Sequence, residues 1–360
     1  MGSSVLALWS QPPPDDTPPN DEEYETVNRI TRRSVLISSA AVALGLGSQR
    51  SVLAVALHDG PQQADPQLPV TVTDNDGNDV TIDDVSRIVP LSGDIAEIIW
   101  GLGLADNIVG VDFSAVYPEE LLQLPKIGVE RNLNAEGILS LTPTVVIGKD
   151  AAGPPPVLEQ VRGAGVPVVI IGEPQTIEAP VVKILATAEA LGVPENGELL
   201  AAETQESIDA AMALASQIED RPRAIVLYLQ QGGIQLVAGG GTVASAMLEA
   251  AGTIDTAIEA GIMGYQPVTA EALVAAAPEI IVTQTLGVES VGGVEALRQI
   301  PGVAETPAAQ NGRIYVYPDE LLLGMTPRTG DQLMAMIADF HPELAEATPE
   351  ASPSAATYSG

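Results

Sequence analysis

The chain has 360 residues, of which 46% are hydrophobic, so it can fill the cores of two compact domains. Its formal net charge of −33 argues against nucleic-acid binding, because phosphates would be repelled. The absence of cysteine excludes disulfides, thiolate metal sites and a lipid-anchored export signal, and two histidines (His58 and His341) are too few for a typical zinc or manganese capture site.

The first 68 residues are expected to serve export rather than to form a domain. Residues 1–30 are rich in Pro, Asp and Glu, which predicts a disordered acidic extension. Residues 31–56 begin with paired arginines and continue into an uncharged, Ala- and Gly-rich stretch, which is typical of a twin-arginine export signal. Residues 57–68 then form a linker. We therefore expect a periplasmic or extracellular protein, which stays tethered to the membrane if the signal is not cleaved.

From residue 69 onward, short β-branched runs alternate with segments of helical periodicity. Strand-like runs lie at 87–91, 108–111, 144–147, 167–171, 224–229, 280–283 and 313–316. Helical segments between them lie at 94–102, 134–141, 155–164, 177–191 and 198–218. This alternation predicts βαβ units and mainly parallel sheets.

Two pairs of matching segments indicate that the chain contains two halves of similar build. Segment 134–147 matches 269–282, because each reads as a capped helix, then proline, then a buried strand. Segment 93–100 matches 241–248 in the same order along the chain. Two such matches favour two lobes of related structure.

The fold class predicted from these patterns is α/β. We predict Rossmann-like lobes at 69–175 and 193–345, joined by one long linking helix at 176–192. Ligand is expected in the cleft between the lobes, near the carboxyl ends of the strands. Residues 346–360 are a low-complexity tail that is predicted to be disordered.

The sequence offers no recognisable catalytic constellation. It contains no nucleophile elbow, no phosphate-binding loop and no cysteine, and the one histidine of the lobes, His341, lies near the C-terminus. The glycine run Gly239–Gly241 can face an anion, but such glycines more commonly make a turn. Binding therefore fits better than turnover, and no tightly bound catalytic cofactor is expected.

Segments from both lobes resemble, in order, the haem-capture proteins of bacterial haem ABC importers. The matching segments are 88–99, 124–128, 131–138, 264–273, 286–294 and 321–328. That family belongs to the helix-linked, class III periplasmic binding proteins, which also serve cobalamin and ferric siderophores. The resemblance implies a monomeric protein that delivers haem to an ABC importer permease dimer. A cobalamin or ferric-siderophore binder, and an exported enzyme acting on such a ligand, are the alternatives.

By this resemblance, Tyr228 is the candidate metal ligand. It ends the first strand of the second lobe, where the family can place an axial ligand, and tyrosinate suits ferric haem. Tyr265 matches a pocket aromatic, and Arg131 matches the arginine expected to pair with a propionate. Gln230 and Arg328 are further expected pocket positions. A half-buried strand aromatic is the alternative for Tyr228, and a surface ion pair is the alternative for Arg131.

The remaining lobe tyrosines are weaker candidates. Tyr117 precedes Pro118 on a loop and is included among the pocket residues, with turn packing as its alternative. Tyr315 and Tyr317 alternate around Val316 and are predicted to be ordinary strand residues.

One departure from the family concerns the first lobe. The family's iron ligand there, a Tyr or His, falls between Gly128 and Arg131, where this chain has Val129 and Glu130. Three interpretations stay open: a five-coordinate site through Tyr228 alone, a metal reached by Glu130, or a ligand other than haem.

Two glutamates occupy equivalent positions in the halves. By resemblance, Glu136 and Glu271 dock on arginines of the permease, one in each subunit. The alternative is that each acid simply interacts with the dipole of the helix whose first turn it occupies.

Overall fold

Two sheets organise residues 65–230 and 233–347, which are the residues that this computed structural model describes. The predicted acidic extension, the export signal and nearly all of the C-terminal tail lie outside these residues. No helix within the described ranges is long and apolar enough to cross a bilayer.

The first lobe contains seven strands and three helices. The strands are β1 (Val70–Thr73), β2 (Asp79–Ile82), β3 (Ile88–Pro90), β4 (Gly128–Val129), β5 (Asn132–Leu133), β6 (Val145–Lys149) and β7 (Val168–Ile171). The helices are α1 (Gly93–Ile99), α2 (Ala135–Ser140) and α3 (Pro155–Gly163). Strands β3, β6 and β7 form a parallel sheet in that order, while β1–β2 and β4–β5 are separate antiparallel hairpins. The predicted strand at 108–111 forms only isolated bridges, Ile108 with Ile88 and Val111 with Lys126, because it touches the sheet edge at one residue.

Two helices connect the lobes. Helix α4 (Ala179–Ala190) occupies the segment predicted as the link, and α5 (Pro194–Ala215) folds back against it. Ala201 of α5 belongs to the core of the first lobe and Ala211 to the core of the second. Helix α4 likewise contributes Ala179 to the core of the second lobe and Ile184 to that of the first, so both helices pass between the two cores.

The second lobe is built on a six-stranded sheet. Its strands are β8 (Arg223–Gln230), β9 (Gly233–Ala238), β10 (Ile254–Asp255), β11 (Tyr265–Gln266), β12 (Ile280–Gln284) and β13 (Ile314–Tyr317). Its helices are α6 (Val243–Ala250), α7 (Thr256–Glu259), α8 (Ala270–Ala276), α9 (Thr285–Ser290), α10 (Val294–Arg298), α11 (Pro307–Gln310), α12 (Asp319–Leu323), α13 (Thr329–Phe340) and α14 (Pro342–Ala347). Five strands follow the order β11-β9-β8-β12-β13, in which β8, β12 and β13 are parallel and β9 and β11 are antiparallel to their neighbours. The sixth strand, β10, pairs with β8 in parallel.

Each sheet has an apolar core on both faces. In the first lobe Val145 and Ile147 point into one core while Val146 points into the other. In the second lobe Ile280 and Ile281 are divided between two cores in the same way. This alternation is why the strands are apolar throughout, as parallel strands covered on both faces must be. The predicted α/β fold of two mainly parallel lobes is confirmed.

Candidate functional site

A ring of four charges, three buried and one half-buried, lies at the carboxyl ends of the first lobe's strands. Asp94 lies in the first turn of α1, Lys149 ends β6, the half-buried Glu173 follows β7, and Lys183 lies on α4. The Lys183 Nζ is 2.5 Å from Asp94 Oδ2 and 2.7 Å from Glu173 Oε1, and the Lys149 Nζ is 3.1 Å and 3.2 Å from the same two atoms. We call these residues the four-charge ring. Its positive and negative charges balance, which makes their burial tolerable.

The two lysines of the ring determine the pKa of Asp94. Burial alone would raise the pKa of Asp94, but Lys149 and Lys183 together hold it well below its usual range. Asp94 is therefore ionised wherever the protein is folded at ordinary pH.

Glu130 lies beside the ring without joining it. It occupies the turn of the β4–β5 hairpin, and its Oε1 is buried without a hydrogen-bond partner. Burial raises the pKa of Glu130 to about 7, more than the attraction of Lys149 lowers it. Its neighbour Val129 is 54% exposed.

Two tyrosines of the second lobe lie together. The rings of Tyr228 and Tyr265 are edge-to-face, with centroids 6.1 Å apart. Tyr228 stands beside an irregularity in the β8–β9 pairing, between Tyr228 and Leu229. Partial burial, Tyr228 and Glu173 raise the pKa of Tyr265 to about 12, while Arg131 lowers it. Arg131 and Glu173 belong to the first lobe, so their charges act on Tyr265 from that lobe.

Arg328 joins the lobes elsewhere. Its Nε and Nη2 donate to the two carboxylate oxygens of Glu97 over 2.8 and 2.7 Å, and its guanidinium lies 3.7 Å from the centroid of the Tyr117 ring. Nearby, the Lys183 Nζ donates to the carbonyl of Gly324 over 2.6 Å. Both Tyr117 and Arg328 were predicted to line the pocket. In the structure Arg328 contacts Tyr117 and pairs with Glu97.

The other predicted residues differ in their surroundings. Arg131 is exposed and forms no ion pair with any described residue. Gln230 ends β8, but its side chain lies outside the described part of the chain. Glu136 and Glu271 are exposed in the first turns of α2 and α8, whose N-caps are Asn134 and Thr269.

Sequence reasoning missed Glu97 and the whole four-charge ring. A signal was present, because Lys149 and Lys183 are two of only three lysines and both lie in otherwise apolar segments. A lysine that is retained in such a segment is expected to have a buried partner.

Comparison with known proteins agrees with this architecture. Residues 88–321 match the family described as Periplasmic binding protein. An uncharacterised ABC transporter substrate-binding lipoprotein, YvrC of Bacillus subtilis, is 26% identical over 280 residues, covering 77% of this chain and 87% of the relative. A cobalamin-binding protein of Halobacterium salinarum is 26% identical over 314 residues, covering 83% of each.

Solved structures provide stronger matches. The apo form of the periplasmic haem-binding protein RhuT from Roseiflexus sp. RS-1 is 48% identical, with a TM-score of 0.70, and the match covers 72% of this chain and 99% of RhuT. The haem-binding protein HmuT is 36% identical, with a TM-score of 0.73, over 78% of this chain and 94% of HmuT.

Proposed function

Because this chain belongs to the periplasmic binding protein family, we propose that it captures haem outside the cytoplasm and delivers it to an ABC importer. Family membership makes the chain the substrate-binding protein of an ABC transporter, in agreement with the prediction of a binding protein rather than an enzyme. The identity of the ligand, the residues that hold it and the export route are the parts that we propose.

The observation that carries the haem proposal is the Tyr228–Tyr265 pair, on which the charge of Arg131 acts from the first lobe. Tyr228 supplies the anionic oxygen that ferric haem favours outside the cell. Tyr265 keeps its proton, since its pKa is about 12, and so acts as a hydrogen-bond donor and an aromatic wall. The exposed guanidinium of Arg131 suits a propionate. The haem-binding proteins RhuT and HmuT, at 48% and 36% identity, support the same ligand.

The first lobe offers iron no tyrosine or histidine at positions 129 and 130. We therefore propose a five-coordinate iron bound by Tyr228, with the apolar, exposed Val129 on the first lobe. Glu130 remains the alternative second ligand.

Haemin titration of the purified protein tests the proposal. We expect a Soret band with a tyrosinate-to-iron charge-transfer band. In Tyr228→Phe the charge-transfer band should be lost, and the affinity should fall on the order of tenfold or more. Tyr315→Phe is the matched control, because the Tyr315 hydroxyl donates to the carbonyl of Asp339 in the second lobe. No spectral change on adding haemin to the unmodified protein would exclude haem.

Cobalamin is the second candidate, and the match to the Halobacterium salinarum protein over 83% of each chain favours it. Cobalamin titration of the same sample distinguishes the two, because its absorption changes on binding are separate from a Soret band. Binding of a ferric siderophore instead would be read by quenching of protein fluorescence.

We also propose that residues 31–56 direct export by the twin-arginine route and that Glu136 and Glu271 dock on the permease. The first proposal rests on the paired arginines and the uncharged stretch behind them. The second rests on one exposed glutamate in the first turn of an equivalent helix of each lobe.

A further inference from the structure

Two contacts join the lobes through one short segment, residues 324–328. The Gly324 carbonyl accepts from Lys183 of the four-charge ring, and Arg328 reaches Glu97 and Tyr117. Glu97 lies on α1, one helical turn after Asp94 of the same ring. The segment is therefore held against the first lobe at both of its ends.

We propose that Arg328 is an interlobe strut, which fixes the width of the ligand cleft through its forked contact with Glu97 and its stacking on Tyr117. In this role Arg328 is a positioning residue and does not itself bind ligand. The strut does not depend on which ligand the cleft holds.

The geometry of the pair opposes a role for Arg328 in holding a propionate. Glu97 is 6% exposed, and its carboxylate receives two parallel hydrogen bonds from the guanidinium. An arginine that turned away to a ligand would leave this carboxylate buried and unpaired, which is strongly unfavourable. Arg131, in contrast, is exposed and has no such partner among the residues that the structure describes.

The segment that carries Arg328 is rigid in its own right. Met325 is fully buried in a left-handed conformation with φ of 48°. The Thr326 hydroxyl accepts from the Arg328 backbone N–H over 3.1 Å, and the Thr329 hydroxyl donates to the Thr326 carbonyl over 2.8 Å. Because this segment is rigid, the contact between the Arg328 guanidinium and Glu97 can fix the separation of the two lobes.

A cleft of fixed width reduces the ordering that ligand binding requires, so the strut should contribute to affinity without touching ligand. We expect Glu97→Gln and Arg328→Lys to weaken ligand binding on the order of tenfold, because either change removes the forked contact. Glu295→Gln is the matched control, since Glu295 pairs with Arg298 on the surface of α10 within one lobe.

The distance between the lobes is the deciding measurement. The chain has no cysteine, so spin labels can be placed only where intended, at Gln160→Cys on α3 and Gln299→Cys after α10, both exposed. In ligand-free protein, double electron–electron resonance should show a broader distribution of label-to-label distances, shifted to longer values, in Glu97→Gln and Arg328→Lys than in Glu295→Gln. Tyr117→Leu, which removes only the stacking, should give a smaller change and serves if Glu97→Gln does not fold.

The opposite pattern would overturn the proposal. If Arg328 binds the ligand, Arg328→Lys weakens haemin binding, whereas Glu97→Gln leaves it unchanged or strengthens it, and the ligand-free distance stays that of the control. Because the distances are measured without ligand, failure of the haem proposal would leave this test intact.

Discussion

At the scale of single residues, the carboxyl group of Glu130 is largely shielded from solvent. Its pKa of about 7 in the folded protein lies above the ordinary value of 4.5, because burial disfavours the charged form. Between these two pH values the folded chain holds a proton at Glu130 that the unfolded chain has lost. The contribution of Glu130 to the free energy of unfolding therefore falls as pH rises through this window and is constant above it.

Glu130→Gln removes this titrating group. We expect urea unfolding to show that the free energy of unfolding of the variant, relative to that of the unmodified protein, increases as pH rises from about 5 to about 8. Glu159→Gln, an exposed change on α3, controls for the removal of a charge. An equal pH dependence in Glu130→Gln and in the unmodified chain would contradict the burial of this carboxyl group.

The residues of the site were predictable to different degrees. Tyr228, Tyr265 and Arg131 were proposed from the sequence by resemblance, and the structure places the rings of the two tyrosines edge-to-face. The partners of Arg328 and Lys183 were not predictable, because Glu97 and Asp94 lie 231 and 89 positions away from them. Periodicity reports which face of an element is apolar, but it does not report which distant charge a buried lysine meets.

At the scale of elements, α5 holds the lobes through two close helix contacts made by glycine. A Cβ added at Gly197 would collide with Ala188 of α4. A Cβ added at Gly330 of α13 would collide with Ser207 of α5. One contact lies on the side of the first lobe and the other on the side of the second, so α5 is fixed at both.

We expect Gly330→Ala to lower the free energy of unfolding by about 1–3 kcal/mol, because the new methyl group meets the backbone of Ser207, which cannot rotate away. Gly137→Ala in α2 is the control. A Cβ at Gly137 meets no atom within 4 Å, so this change should be neutral or raise stability by up to about 1 kcal/mol. Equal effects of the two substitutions in urea unfolding would contradict the close packing of α5 on α13.

Element types were predicted better than connections. The alternation of strands and helices survives from sequence to structure, apart from 108–111. The hairpins β1–β2 and β4–β5 and the antiparallel strands β9 and β11 were missed, because strands of two to six residues leave little periodicity. A single linking helix was predicted at 176–192, where α4 lies, and the passage of α5 between the same two cores was not predicted.

At the scale of the whole molecule, the proposed docking of Glu136 and Glu271 on a permease dimer leads to a prediction for charge reversal. Reversing one charge at each, as Glu136→Lys and Glu271→Lys, should lower affinity for the importer on the order of tenfold per substitution while ligand binding is kept. The measurement is stimulation of importer ATPase activity by the loaded protein in proteoliposomes. Glu159→Lys, which reverses the charge of another exposed glutamate on α3, is the control. A loss of affinity of the same size in this control would mean that the effect comes from net charge and not from docking at Glu136 and Glu271.

The four-charge ring has a practical consequence for the chemistry of the intact protein. Two of the three lysines are sealed within the ring, and the third, Lys126, donates to the carbonyls of Ala115 and Leu121. Lys126 is half-buried, whereas Lys149 and Lys183 are buried, so an acylating reagent should reach Lys126 first in the folded protein. Modification of Lys183, detected by mass spectrometry, would report the fraction of molecules in which α4 has separated from α1. The rate of this modification would therefore measure how often the core opens.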